Sequence, residues 1–527
     1  MSSGKGKTAS PALSRVGEGL EKLSASRIFA GILVFVSILL CLVPVFVYNE
    51  IYVDPADDIA YPLEQDPSKY QPYIQQFDAF EKGQVELDVR VSTPILECEN
   101  PYDPTKRAES KGWYMWDRAM YNGKYYSYFG IAPILTVYYP HYVFNGTLPS
   151  DSEVMATMLF ICAVFMPLCV WQWAYAFSPK TPKLLLMLAA PAFFWGTMVM
   201  LIARGRTPFY YIASVAGCTF LSVFLFFALL AYSCKKRWTV YTSLVLAGIA
   251  FGLCFQSRIN IAFCAAFVII PGLWFMIVAR ERKLKKGQKA AQIILELAAL
   301  GAPVMLFLTG TMIFNAMRFS GPLDFGSNYQ LTVADVSTYK MHGSWFIPSV
   351  YHYILAPLGD SETWPYLNFN YVYFTNYGSY IYRDASMGLM NIPLMLSLFL
   401  SPAIFFSEKF NLRKKLMTLA AVAAILITAW IDTCLGGIIY RYTCDMTVIG
   451  AFFSIVILLS ICEAVRSSGK IPFRIIAYTA VIMLMTVSVY VCIRISLLNG
   501  NGNVMPYSEE VTGNLSKLLT FFHSPSK

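Results

Sequence analysis

Four aspartates and a scatter of basic residues stand where their types and spacing could do chemistry. Asp54, Asp57 and Asp58 lie in NEIYVDPADDIAY (49–61), directly after the apolar stretch Ile28 to Tyr48. A carboxylate at a membrane boundary stays ionised because water and headgroups solvate it. It can then act as a general base toward an acceptor hydroxyl, or ligate a divalent cation; the plain alternative is a solvated loop start. The richer stretch follows NPYDPTKR (100–107). It is WYMWDRAMYNGKYYSYFGIAP (113–133), with Asp117, Arg118, Lys124 and Tyr125 among several aromatics. Aromatic faces stack on sugar C–H surfaces, carboxylates accept hydroxyl protons in hydrogen bonds, and Lys or Arg pairs with phosphate. The alternative there is an aromatic anchor at the interface. Asn122-Gly123 predicts a tight turn flanked by Tyr121 and Lys124.

Further basic residues sit at the ends of apolar blocks: Arg204 in ARGR (203–206), Arg258 between two closely spaced blocks, and Arg318 in FNAMRFSGPLDFGSNYQLT (314–332). In GGIIYRYTCD (436–445), Arg441 and Asp445 are four apart and share a helix face, which predicts an ion pair or the lining of a polar cavity.

The elements that must position these residues are membrane helices. The chain has 527 residues, 56% hydrophobic and 14% charged, with mean hydropathy +0.51. Soluble domains carry roughly 25% charged residues, so a water-coated globule is excluded. The expected fold is all-α and polytopic, with about eleven spans (ten to thirteen) near 28–48, 154–176, 183–203, 209–232, 239–257, 259–279, 291–316, 388–406, 415–433, 441–463 and 473–497. The block 131–144, interrupted by Pro133 and Pro140, is read as an interfacial or re-entrant helix. Only then do KKR (235–237), RERKLKK (280–286), EKFNLRKK (408–415) and VRSSGKIPFR (465–474) all face the cytoplasm.

The expected organisation is a cytoplasmic basic tail (1–27), a transmembrane module (28–463) with outer loops 49–153 and 317–387, and a last helix with an outer carboxyl-terminal tail (464–527). Within the first loop, Tyr70 to Lys82 carries Tyr73, Phe77 and Phe80 at helical spacing, which predicts an amphipathic helix at the membrane surface.

The net charge of +9 resides in short loops between spans and does not point to nucleic acid. Four His and twelve Cys form no metal-ligand pattern, so no metal site is expected and a divalent cation is the one candidate cofactor. The cysteines read as inert apolar residues; Cys434 and Cys444 flank one short outer turn and are spaced so that they could pair.

The first outer loop, the run from PYDP to FGIAP, FNAMRFSGPLDFGSNYQL and the late YRYTCD together resemble bacterial polyprenyl-phosphate-sugar-dependent glycosyltransferases. This is the C-type fold of protein mannosyltransferase-like and aminoarabinose transferase-like enzymes. The resemblance covers about residues 49 to 450. It implies an integral protein of the bacterial cytoplasmic membrane, amino terminus inside and carboxyl terminus outside. It implies inverting transfer of a hexosyl or pentosyl group from a polyprenyl-phosphate sugar to an envelope glycan or protein acceptor on the outer face. Asp54, Asp57 or Asp58 would be the base, with Asp117 as the alternative, and Arg204, Arg258, Arg318 and Arg441 would be candidates for the lipid-linked phosphate. No Asp-Glu pair follows the first helix, in departure from the best-known members. The rival readings are a multi-span transporter or lipid flippase, and an assembly factor that keeps the fold without the chemistry.

Overall fold

The computed structural model describes residues 27–51, 71–203, 209–280, 286–362, 365–372, 385–399, 401, 412–466 and 471–498. Asp54, Asp57, Asp58 and Arg204 lie outside these described residues, as do both termini.

Helix α1 (Arg27–Ile51) leads into a loop region holding α2 (Pro72–Glu81), α3 (Thr93–Leu96), α4 (Pro104–Glu109) and a hairpin of β1 (Ala119–Tyr121) with β2 (Lys124–Tyr126). A π-helical turn (Ile134–Tyr138) then runs into α5 (Tyr139–Asn145). The bundle continues through α6 (Asp151–Phe177), α7 (Lys183–Gly196), α8 (Val199–Ala203), α9 (Phe209–Ser233), α10 (Arg237–Ser257), α11 (Ile259–Arg280) and α12 (Lys286–Arg318). The second loop carries α13 (Phe346–Val350) and several 3-10 turns. It is followed by α14 (Leu396–Phe399), α15 (Leu412–Gly436), α16 (Cys444–Arg466) and α17 (Ile471–Ile495).

Among the described residues, nine helices are long and apolar enough to cross a bilayer, and the protein is an all-α polytopic membrane protein. Helix α9 is buried along most of its length between α6 and α10, while α12 exposes apolar side chains such as Met305 and Leu306 along nearly all of its length. Such a surface is stable only against lipid. Close contact of α12 with α10 depends on Gly248 and Gly252. A Cβ at Gly252 would lie 2.5 Å from the Phe307 ring, and one at Gly248 would lie 2.3 Å from the Leu300 carbonyl oxygen. Small residues four apart let two membrane helices approach backbone to backbone.

Two expected spans are not continuous helices. At 183–203 the chain ends α7 after fourteen residues, about 21 Å, which is short of the hydrocarbon thickness of about 30 Å. There the Thr197 amide is shared between the Phe193 and Phe194 carbonyls and the Thr197 hydroxyl donates back to Phe194. Met198 turns left-handed, at φ 56°, before α8 begins. At 388–406 the described part is two 3-10 turns and the four-residue α14. Asn391 fastens this stretch to the second loop, donating to the Ala356 and Gly388 carbonyls and accepting from the Leu358 amide. Leu389, Leu394, Met395 and Leu398 are buried in protein.

The block 131–144 does not span. Its twelve helical residues, Ile134 to Asn145, reach about 18 Å, and Val143 and Phe144 are exposed near its end. The helix predicted at 70–82 forms as α2, capped by the Gln71 side chain on the Ile74 amide. Its apolar face is covered by protein: Tyr73 stacks on Tyr138 at 5.8 Å, Phe77 meets Tyr139 at 4.7 Å, and Phe80 meets Phe314 of α12 at 5.7 Å. All twelve cysteines are free; Cys434 packs with Trp345 and Ile438, and Cys444 packs in the main core.

Gly252→Leu is expected to push α12 off α10 and lower stability by about 1–3 kcal/mol, read as a drop in the melting temperature of the purified protein in detergent. A second expectation concerns His352, in the π-helical turn after α13. It is 3% exposed, and burial pushes its imidazole down to about 4. A lowered folded-state value favours the neutral ring, so this contribution to stability is complete above the ordinary value of about 6.5 and is lost as pH falls from there toward 4. The melting temperature of His352→Phe is expected to fall less between pH 7 and pH 5 than that of the wild-type protein.

Candidate active site

The two long loops form one layer. Leu331 of the second loop accepts from the Asp117 amide at 3.0 Å and donates to the Arg118 carbonyl at 2.9 Å, with a bridge between Ala119 and Gln330 alongside. Arg107, 1% exposed, donates to the Pro101 and Tyr102 carbonyls and reaches across to Thr332. Asn100 donates to Asp335 at 3.1 Å, and the Tyr121 and Tyr329 rings lie 4.6 Å apart.

This layer rests on the helix ends. At Gly130 a Cβ would come within 2.2 Å of the carbonyl oxygens of both Gln256 and Ser257, so only glycine lets the loop lie on the end of α10. That contact seats Phe129 at 5.8 Å from the Tyr210 ring.

Among the described residues, Asp117 presents its carboxylate from the layer to the bundle. Its backbone is left-handed, at φ 52°, a region that Asp tolerates better than most residues. The bonds to Leu331 on either side hold it there. Its Oδ2 accepts from the Tyr210 hydroxyl, in the first turn of α9, and its Oδ1 carries no hydrogen bond among the described residues. Desolvation first, and the Asp117 carboxylate second, raise the Tyr128 hydroxyl well above its ordinary value, so it stands at the site as a neutral donor.

Tyr210 also faces Arg441. The Arg441 guanidinium lies 5.1 Å from the Tyr210 ring, 5.7 Å from Tyr211 and 5.5 Å from Tyr442. Aromatic faces attract a cation without neutralising it. No carboxylate pairs with Arg441 among the described residues.

Asp445 does not pair with Arg441 as their spacing predicts. The two fall on different elements, Arg441 in a 3-10 turn and Asp445 in the first turn of α16. Asp445 is instead taken by Arg258 in a bidentate pair, with Nη2 to Oδ2 at 2.8 Å and Nε to Oδ1 shorter still. Arg258 also lies 4.7 Å from the Tyr442 ring. Beside this pair, Asn260 donates to Asp432 Oδ1 at 2.6 Å, and Asp432 is 1% exposed.

The remaining candidates are committed elsewhere. Arg318 donates to the Ser127 and Phe314 carbonyls and to Asn315, and lies 3.7 Å from the Phe314 ring, fastening β2 to α12. Arg118 donates to Gln75 of α2 at 3.0 Å and to the Trp116 and Asp117 carbonyls. Tyr125 is fully buried in the loop layer, its hydroxyl accepting from the Met115 amide. Lys124 pairs with Glu86 at the rim, and its hydrogen bond holds the Glu86 carboxyl below the usual range. The hairpin forms at Asn122-Gly123, with φ 50° and 72°.

Tyr210, Tyr211, Asn260 and Asp432 are site residues that the motif reading passed over. Their signal is a polar group inside or at the lip of an apolar block, where it is costly and so tends to be paired or functional.

No family model and no curated protein matches the chain. Among solved structures, the apo form of the Archaeoglobus fulgidus oligosaccharyltransferase aligns at 12% identity and TM-score 0.41, over 95% of this chain and 59% of that one. The same enzyme tethered to an acceptor peptide with an NVT sequon aligns at 12% and 0.40, over 91% and 56%. Its complex with an inhibitory peptide and a dolichol-phosphate aligns at 13% and 0.37, over 94% and 58%. The chain spans less than three fifths of the length of that enzyme. No residue role passes across alignments of this kind.

Arg258→Ala strands the Asp445 carboxylate in a buried place and is expected to cost about 3–5 kcal/mol. Arg258→Met combined with Asp445→Leu removes both charges and is expected to recover most of the lost melting temperature. A double variant no more stable than Arg258→Ala alone would show that the pair is not what fails.

Proposed function

We propose that the protein is a membrane glycosyltransferase that moves a sugar from a polyprenyl-phosphate donor to an acceptor at the loop face of the bundle. The observation that carries this reading is the pairing of Asp117 and Arg441 on one tyrosine, Tyr210: a carboxylate with one oxygen unbonded, beside a cation that meets no carboxylate, both among the described residues. In the proposed step, Asp117 takes the proton of an acceptor hydroxyl as its oxygen attacks the anomeric carbon. The bond from that carbon to the phosphate oxygen breaks with inversion, and the lipid phosphate leaves as an anion. Arg441 stabilises the charge that builds on the phosphate. Tyr128 and Tyr210 offer hydroxyls and ring faces to the sugar, and Arg258, neutralised by Asp445, holds Tyr442 in place. Asp54, Asp57 and Asp58 are the alternative bases, and a divalent cation remains part of the proposal to be tested with chelator. The setting we propose is the bacterial cytoplasmic membrane, with the amino terminus inside, the carboxyl terminus outside, and an envelope glycan or protein as acceptor.

One pair of observations favours a second reading, transport or lipid flipping: the interrupted helix at Thr197–Met198 and the buried Asp432.

Purified protein in lipid, given radiolabelled polyprenyl-phosphate sugar, is expected to release label only when envelope acceptor is present. Asp117→Asn is expected to lower that rate by about 10²–10⁴, and Arg441→Gln by about 10²–10³. Full activity in Asp117→Asn with loss in Asp57→Asn or Asp58→Asn would move the base to the first loop's acidic cluster. No release with any donor sugar, together with flipping of the same lipid across vesicles, would replace transfer with transport.

A further inference from the structure

The far end of the bundle holds a second place where a ligand fits. A cavity of about 300 Å³ opens between α6, α9, α11, α15 and α16, a size within the range of ligand sites. On α9 the candidate active site meets Tyr210, while the cavity meets Phe224 to Tyr232, about 20–30 Å further along the helix. On α15 the order in sequence is reversed, and on α16 it is the same as on α9. The cavity lies at Arg413 to Thr418 and at Ile449 to Ser460, away from Asp432 and Asp445.

Its walls are mostly apolar, from Leu225, Ala228, Leu273 and Phe452 among others, and Arg413, Lys414 and Ser460 are among the polar residues that break that pattern. Arg413 lies 5.7 Å from the Phe275 ring, and no carboxylate pairs with it among the described residues. Lys414 lines the same mouth and lies in the field of Glu463, which also accepts from the Ser178 hydroxyl. Ser460, 4% exposed, lines the cavity, and its hydroxyl has no hydrogen-bond partner among the described residues. A cavity evolved only as a packing defect would be expected to be dry and apolar throughout. Here a cation sits at the rim, and a residue with a buried, unpartnered hydroxyl stands in the wall. The surrounding helix ends add Lys235, Lys236, Lys415 and Arg466, so this end of the bundle carries a field that favours anions.

We propose that this cavity binds a lipid whose phosphate headgroup carries net negative charge, its chain lying between α9, α11 and α16 and its phosphate meeting Arg413. Lys414, balanced by Glu463, orients the headgroup region, and Ser460 offers its hydroxyl to an ester oxygen. The site is separate from Asp117 and Arg441, and the inference stands whether or not the proposed transfer reaction is confirmed.

The test is native mass spectrometry of the full chain, purified in detergent and equilibrated with equal amounts of phosphatidylglycerol and phosphatidylcholine. Phosphatidylglycerol adducts are expected to exceed phosphatidylcholine adducts by about tenfold. That is the preference expected from roughly one well-placed charge-assisted contact. Arg413→Gln is expected to abolish the preference, and Ala228→Phe, which fills the chain cavity, is expected to remove the adduct. Ser460→Leu gives an independent variant should Ala228→Phe fail to fold, as judged by its melting curve. Displacement of phosphatidylglycerol by polyprenyl phosphate would support the proposal and name the chain type. Equal adducts of both phospholipids, an adduct unchanged in the folded Arg413 and cavity-filling variants, or displacement by inorganic phosphate alone would overturn it.

Discussion

The arrangement at the loop face depends on one buried ion pair, Arg258 with Asp445. The two residues stand at the junction of α10 with α11 and at the start of α16, so a single bidentate contact fixes the relative height of three membrane helices. Removing two charges from water is expensive, and fork-to-fork geometry is what makes such a pair tolerable at a membrane boundary. Tyr442 stacks on the same guanidinium and in turn packs on Arg441. The position of the uncompensated cation therefore follows from the position of the compensated one. Of these two arginines, Arg258 is compensated by Asp445, while Arg441 meets no carboxylate among the described residues.

The loop layer supplies the opposite half. It behaves as one body because each long loop satisfies the other's backbone: Leu331 closes on Asp117 and Arg118, and buried Arg107 spends its donors on carbonyls of both. Buried backbone groups must be paired, so neither loop would be stable in this shape alone. Arg318 and Gly130 tie the layer down, one by donating to the Ser127 carbonyl just after β2 and the other by omitting a side chain where the loop crosses the end of α10. Asp117 is consequently held by backbone geometry rather than by side-chain packing, which leaves its carboxylate free to face the bundle.

The two ends of the bundle solve different physical problems. At the loop end, polar groups are gathered and cross-linked under a protein cover. At the other end, the helices part around an apolar space rimmed by cations. The proposed lipid-linked substrate and the proposed resident lipid both have a long apolar chain joined to an anion, and the two proposals use the two ends of the bundle separately.

The long spans were legible in the sequence because a helix facing lipid must hide every backbone polar group and carry some twenty apolar residues; roughly that length suffices to cross. The non-spanning character of 131–144 and the Asn122-Gly123 turn were legible for equally local reasons: two prolines in a short block, and a glycine that accepts positive φ. What only the tertiary structure decided is who pairs with whom. Asp445 looked four residues back to Arg441, yet its partner lies 187 residues away. Arg318 and Lys124 had the right chemistry for phosphate, and the fold gave their donors to the Ser127 carbonyl and to Glu86. The break at Met198 and the tethering of 388–399 by Asn391 likewise depend on neighbours remote in sequence. Periodicity and turn chemistry act over a few residues and can be read along the chain. Charge compensation acts through space, and its outcome depends on which helix ends the packed core brings within a few ångströms of each other.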